Sequence, residues 1–172
     1  MRAFCTSLLM LVATSLVASD ATGSLANPLT QTALPHVHIK RAAKSTPQGY
    51  TPNQIRRAYG FDQISAKGAG QKIAIVDAYG SPTIQTDLDT FCTQFSLPKT
   101  TIQIAYPDGQ PTKTDGGWAL ETALDVEWAH AIAPSATILL VVAKDAYLSS
   151  LLKAVDYAVQ QGAKQISMSW GS

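Results

Sequence analysis

The sequence predicts an α/β fold, a parallel sheet with helices on both faces that is left incomplete at the C-terminus. Three observations carry that expectation. Strand-like and helix-like patterns alternate four times between residues 72 and 170, which is the signature of crossover-connected parallel strands. ATILLVVA (136–143) shows no polar alternation, as expected of a strand covered on both faces. The last strand-like run stops near Ser172 with no crossover element after it to cover its faces.

The elements follow in order. TPNQIRRAYGF opens with Thr51 as N-cap and Pro52 at the first helical position, which predicts a short helix. KIAIVDA (72–78) reads as a buried strand between GAG and YGSP. PTIQTDLDTFCTQF (82–95) is a helix opened by Ser81 and Pro82, and TTIQIAY (100–106) is a second strand ended by a PDGQP turn. WALETALDVEWAHAI (118–132) is a helix stopped by Pro134, and 136–143 is the third strand. YLSSLLKAVDYAVQQG (147–162) is an amphipathic helix closed by Gly162, and KQISMSW (164–170) is the last strand. Ligands in such sheets sit at the carboxyl ends of the strands. Asp77, Glu121 and Ser169–Gly171 all fall at or near those ends.

The first 48 residues read differently. Arg2 is followed by seventeen residues without charge before Asp20, with small residues at Val17 and Ser19. That pattern is a secretory signal peptide over 1–19, too short to span a bilayer comfortably. Residues 20–48 are rich in Ala, Thr, Ser, Pro and Gln without a sustained period, as in a flexible leader or short prosegment. Lys40–Arg41 is a dibasic pair within it. His36 and His38 alternate as metal ligands can, yet no Cys, Asp or further His stands nearby, so no metal site is read. Residues 49–172 form the ordered domain. The chain is expected outside the cell, with no membrane role once the signal is removed.

Composition narrows the partners. Thirteen basic and twelve acidic residues nearly cancel, and no basic run provides the footprint that nucleic acid needs. With Cys5 removed in the signal, Cys92 stands alone. It lies on the apolar side of DLDTFCTQF, where a buried thiol is the ordinary role. Gly68 and Gly70 precede a strand, whereas a dinucleotide loop follows one.

The chemistry concentrates in one helix. Glu121 and Asp125 are four residues apart and share a face. Nine of the fourteen residues from Ala119 to Ile132 are apolar, so that face is largely enclosed. Desolvation and mutual repulsion raise carboxyl pKa values, which predicts two carboxyls sharing a proton through the mildly acidic range. One can then serve as a base while the other orients it. A solvated polar stripe would explain the same spacing. His130 falls on another face and reads as a structural histidine.

KIAIVDAYGSPTIQTDLDTFCTQFSLP, GWALETALDVEWAHAIAPSATILLVVA and KQISMSWG together resemble the amino-terminal half of a sedolisin catalytic domain. Sedolisins are serine-carboxyl peptidases with a subtilisin-like fold, and the resemblance covers residues 50–172. It implies a Ser-Glu-Asp triad acting at acidic pH on a polypeptide substrate. Glu121 would take the serine's proton, and Asp125 would hold Glu121 and tune it. Ser169, Trp170 and Gly171 resemble the strand that pairs with the substrate backbone. Asp77 matches the place of a catalytic aspartate in subtilisins but lies outside the sedolisin triad, so it is structural or supports the pair.

The departures are also specific. The family's nucleophilic serine, its oxyanion-stabilising aspartate and its calcium loop come later than this segment, and Ser172 lacks their context. The resemblance therefore implies a truncated chain, inactive alone, with no cofactor of its own. Calcium is expected in the C-terminal part, and a C-terminal complement could supply the serine. Two other readings stay open. One is a non-catalytic secreted peptide-binding fragment. The other is a glycoside hydrolase using the paired carboxyls, although those enzymes set their carboxyls at least ~5 Å apart across a sugar-sized cleft.

Overall fold

The computed structural model describes residues 27–36 and 49–171. The expected signal peptide, Lys40–Arg41 and His38 lie outside the described residues.

Four parallel strands form the sheet, β2 (Lys72–Ala78), β3 (Gln103–Ala105), β4 (Thr137–Ala143) and β5 (Gln165–Ser167), in the order β3-β4-β2-β5. β2 and β4 pair along their full length, from Lys72 opposite Thr137 to Ala78 opposite Ala143. Strand periodicity sends alternate side chains to opposite faces. Ala74, Val76 and Ala78 join Leu139 and Val141 in a core beneath helix α4 (Leu148–Gln160), supplied by Leu151, Ala154 and Ala158. Ile75 joins Ile138, Leu140 and Val142 on the other face, against α2 (Ile84–Phe95) and α3 (Gly116–Ile132). Helices therefore cover both faces, and β4 is buried from Ile138 onward, as its unbroken apolar run predicts.

Local chemistry sets the ends of the elements. Helix α1 (Pro52–Ala58) opens on a capping box. The Gln54 amide donates to Thr51 Oγ1 at 3.4 Å, and the Thr51 amide donates to Gln54 Oε1 at 2.8 Å. Arg56 of α1 donates to the carbonyls of Ala131 (3.3 Å) and Ile132 (2.7 Å), capping α3 with a cation at its negative end. α2 begins at Ile84, two residues later than Ser81–Pro82 suggests, because Ser81 and Thr83 form a turn instead. β3 is confined to 103–105, the exposed edge of the sheet.

β2 ends in a tight reversal. Tyr79 has φ 59 and Gly80 φ 63, and a Cβ at Gly80 would lie 3.1 Å from Val142 Cγ2. Only glycine meets both constraints without cost.

Two larger departures from the sequence expectation concern the chain's two ends. The last strand, expected over 164–170, is divided. β5 stops at Ser167, and Trp170–Gly171 forms a separate strand, β6. β6 pairs antiparallel with β1 (Leu34–Pro35). Residues 27–36, inside the stretch expected as leader, are thus seated on the body. The Ala33 amide donates to Ala146 O at 2.8 Å, the Leu148 amide donates to Gln31 O at 2.9 Å, and Ala33 is buried. Among the described residues, no helix is long and apolar enough to cross a membrane.

Candidate active site

α3 carries the site. Asp115 starts it by accepting the amides of Gly117 (2.9 Å) and Trp118 (3.0 Å) at Oδ1, two donors that a helix start otherwise leaves unpaired. This cap moves the start back from the expected Trp118 to Gly116. Trp118 anchors the first turn in the core beneath α4, with Trp170 packed against the same cluster.

Glu121 follows in the next turn and is 2% exposed. It is a burial that a carboxyl accepts only among polar company. One turn further, Asp125 is half-buried and held at both oxygens. Ser169 Oγ donates to Oδ1 at 2.9 Å, and Ser167 Oγ donates to Oδ2 at 3.3 Å. Burial pushes the Asp125 carboxyl above its ordinary range, while the two serine hydroxyls, which favour its ionised form, hold the rise back. The pair does not splay into solvent. Ser169 lies beside Trp170, whose Nε1 donates to Val76 O at 2.7 Å and so ties β6 to β2.

Asp77 completes a cluster of three carboxyls. It occupies the β2 face turned toward α3, and it is fully buried. Burial drives its pKa up to about 8, with the charges of Asp125 and Glu121 adding to the rise. Thr122 lies near enough to offset part of it, although neither Asp77 oxygen nor Thr122 Oγ1 meets a partner at full hydrogen-bond geometry. At neutral pH Asp77 is therefore a neutral acid, and a proton sits behind the pair. Sequence reading placed Asp77 at the end of a buried strand, as a structural residue or a support of the pair, without its protonation state. The missing signal was that its side of the strand meets the Glu121 face of α3.

Ser169 is brought against Asp125, and Ser167, which sequence reasoning passed over, joins it, while Trp170 bonds to Val76 O and Gly171 pairs with Leu34. Other singled-out residues lie elsewhere. His130 is buried, and its Nε2 pairs with Pro98 O at 2.6 Å. Cys92 is a buried free thiol whose pKa burial raises. A cavity of about 420 Å³ at the ends of β2 and β4, lined by Tyr79, Ser81, Tyr106 and Lys113, includes neither Glu121 nor Asp125. Among the described residues no group of three or more His, Cys, Asp or Glu side chains is placed to hold a metal ion.

Glu121 is a buried carboxyl one helical turn from Asp125, whose oxygens are held by two serine hydroxyls, and a carboxylate so placed can accept a proton from a hydroxyl. Carboxylates suit such work at acidic pH, where histidine would be protonated.

No family model matches the chain. Kumamolisin of Bacillus sp. (strain MN-32) is 30% identical over 154 residues, taking in 81% of this chain and 27% of kumamolisin. The chain thus spans about a quarter of the length of the curated relative it matches. A solved structure, Pseudomonas sedolisin (serine-carboxyl proteinase) complexed with two molecules of pseudo-iodotyrostatin, matches with TM-score 0.49 and 22% identity. That match covers 71% of this chain and 35% of the other.

Proposed function

We propose that the chain belongs to the sedolisin family of serine-carboxyl peptidases, which have a subtilisin-like fold, and that it carries the carboxylate part of a secreted, acid-acting endopeptidase. Glu121 is the base and Asp125 its positioning partner. The serine to be acylated belongs to the part of the family's length that this chain does not span, as do the oxyanion aspartate and the calcium loop. On this reading the chain alone is inactive.

The observation that carries the proposal is the setting of the pair. Glu121 is buried one helical turn from Asp125, and Asp125 is bonded to Ser169, the residue before the strand proposed to hold substrate. The serine oxygen attacks the peptide carbonyl carbon, and its proton moves to Glu121. Collapse of the tetrahedral intermediate breaks the C–N bond, and Glu121 returns the proton to the leaving amine. Water then repeats the sequence on the acyl-serine. Asp125 keeps the Glu121 carboxyl aimed, and burial raises its own pKa.

The experiment is hydrolysis of a peptide substrate at acidic pH by a polypeptide joining this chain to a serine-bearing remainder. Glu121→Gln should lower kcat by ~100–10,000-fold, the usual contribution of a general base, with KM little changed. Retention of full activity would remove the proposal. The pairing of β6 with β1 also favours a second reading, a non-catalytic secreted peptide binder, which predicts binding without product.

A further inference from the structure

The cavity of about 420 Å³ at the carboxyl ends of β2 and β4 takes no part in the chemistry proposed for Glu121. Its place follows from the topology. The chain leaves β2 for α2 on one face of the sheet and leaves β4 for α4 on the other. Neighbouring strands whose connections depart to opposite faces open a crevice between them, and sheets of this kind bind ligands there. Leu140 and Val142 of β4, both buried, form the floor, and Tyr79 and the loop 110–114 form the walls. The volume lies in the range of small-molecule sites. It is roughly three times that of a cavity that binds benzene.

The chemistry of the lining is one-sided. No Asp or Glu lines the cavity, and Lys113 supplies its single formal charge. Lys113 Nζ lies over the Tyr79 ring, 4.9 Å from its centroid. Among the described residues it makes no ion pair, in contrast to Lys144 and Lys153, which reach Asp108 of the same loop at 2.8 and 3.3 Å. Tyr79 is brought to the wall at a cost. Its φ of 59 is uncommon for a bulky side chain, and such backbone clusters at functional sites, where its surroundings hold it. Here the Tyr79 amide is held by Ala143 O at 3.0 Å. Ile104 and Tyr106 also line the cavity and are 40% and 39% exposed, apolar surface that a bound molecule would cover. A positive lining with no carboxylate rejects a divalent cation, and its lone ammonium matches one negative charge.

We propose that this cavity is a binding site for an organic monocarboxylate with a ring-sized apolar body. The carboxylate pairs with Lys113, and the body covers Tyr79, Ile104 and the β4 floor. Two sources present this chemistry, a free arylalkanoic acid and the C-terminal residue of a peptide. β3 lines the cavity at Ile104 and is the edge of the sheet, so the residues before a peptide's last one have a strand to pair with. The site uses neither Glu121 nor Asp125 and does not depend on the reading of 169–171.

Calorimetric titration of phenylpropanoate into the full chain tests the inference, with phenylpropanamide as the uncharged control. The readout is association and not hydrolysis, so it fails separately from the assignment of Glu121 as base. The acid should saturate with a Kd of about 1 mM or tighter, and the amide should bind at least roughly tenfold more weakly. Lys113→Met keeps the stem without the charge and should bring the acid down to the affinity of the amide. Ile104→Glu, at an exposed position, should abolish binding of the acid by adding a negative charge to the lining. Backbone amide shifts on adding the acid to the native chain should concentrate at 79–82 and 110–114. N-acetyl-Ala-Ala-Phe with a free carboxylate separates the sources. Tighter binding than phenylpropanoate assigns the site to peptide ends, weaker binding assigns it to free acids, and either result supports the site. Equal affinity of acid and amide, an unchanged acid affinity in Lys113→Met, or no saturation by about 10 mM would overturn the proposal.

Discussion

Replacing Asp77 by asparagine isolates the proton that the fold holds behind its carboxyl pair. Asp77 titrates at an ordinary value of 3.8 when unfolded and at about 8 when folded, chiefly because burial penalises its charge. A group whose folded pKa is raised favours the folded state most fully below the unfolded value. That contribution is lost as pH rises through the folded value. The native chain should therefore lose stability between about pH 4 and about pH 8. Four pKa units correspond to at most about 6 kcal/mol at 1.36 kcal/mol per unit. Asp77→Asn cannot ionise, so its stability should not carry this slope. A buried amide adds a fixed offset of about 1–3 kcal/mol at every pH, which the comparison across pH removes. Urea unfolding of both chains over this range reads the difference directly. Asp77→Asn should gain at least about 2 kcal/mol on the native chain from the acid to the alkaline end. Parallel curves would refute the claim that Asp77 is neutral in the folded state.

Two further outcomes follow from the same packing. Trp170→Phe removes the donor to Val76 O and should cost about 1–3 kcal/mol in unfolding free energy, with the circular dichroism of the sheet and helices retained. An unchanged midpoint would contradict the role given to that bond in fixing β6. Cys92, buried and with its thiol pKa raised by burial, should react with thiol reagents only as the chain unfolds. Fast labelling of the native chain would contradict its place in the core.

Much of the fold was legible because it rests on local periodicity. The unbroken run at 136–143, the apolar KIAIVDA between GAG and YGSP and the Thr51–Pro52 start each state their own structure within a few residues. Glu121 and Asp125 were legible for the same reason, since helical spacing alone puts them on one face. What the sequence hid depends on pairings between distant residues. Nothing in KQISMSW announces that β5 stops at Ser167, because the partner of Trp170 and Gly171 is a segment some 135 residues earlier. Residues 31–36 carry no sustained period, and their order comes from backbone bonds to 145–148 and 170–171. The protonated state of Asp77 likewise arises where β2 meets α3, forty-odd residues apart in the chain. The start of α3 at Gly116 was missed because Asp115 was not read as a cap, although an aspartate before two glycines is a helix-start signal.

The account depends most on Asp125 being a desolvated carboxyl restrained by Ser167 and Ser169. Carbon-13 NMR titration of its side-chain carboxyl in the full chain measures this. The midpoint should lie above the ordinary 3.8, and Ser169→Ala should raise it further by removing a hydrogen bond to the ionised form. A midpoint at or below 3.8 that Ser169→Ala leaves unmoved would place Asp125 in open solvent, and the carboxyl pair would lose its setting.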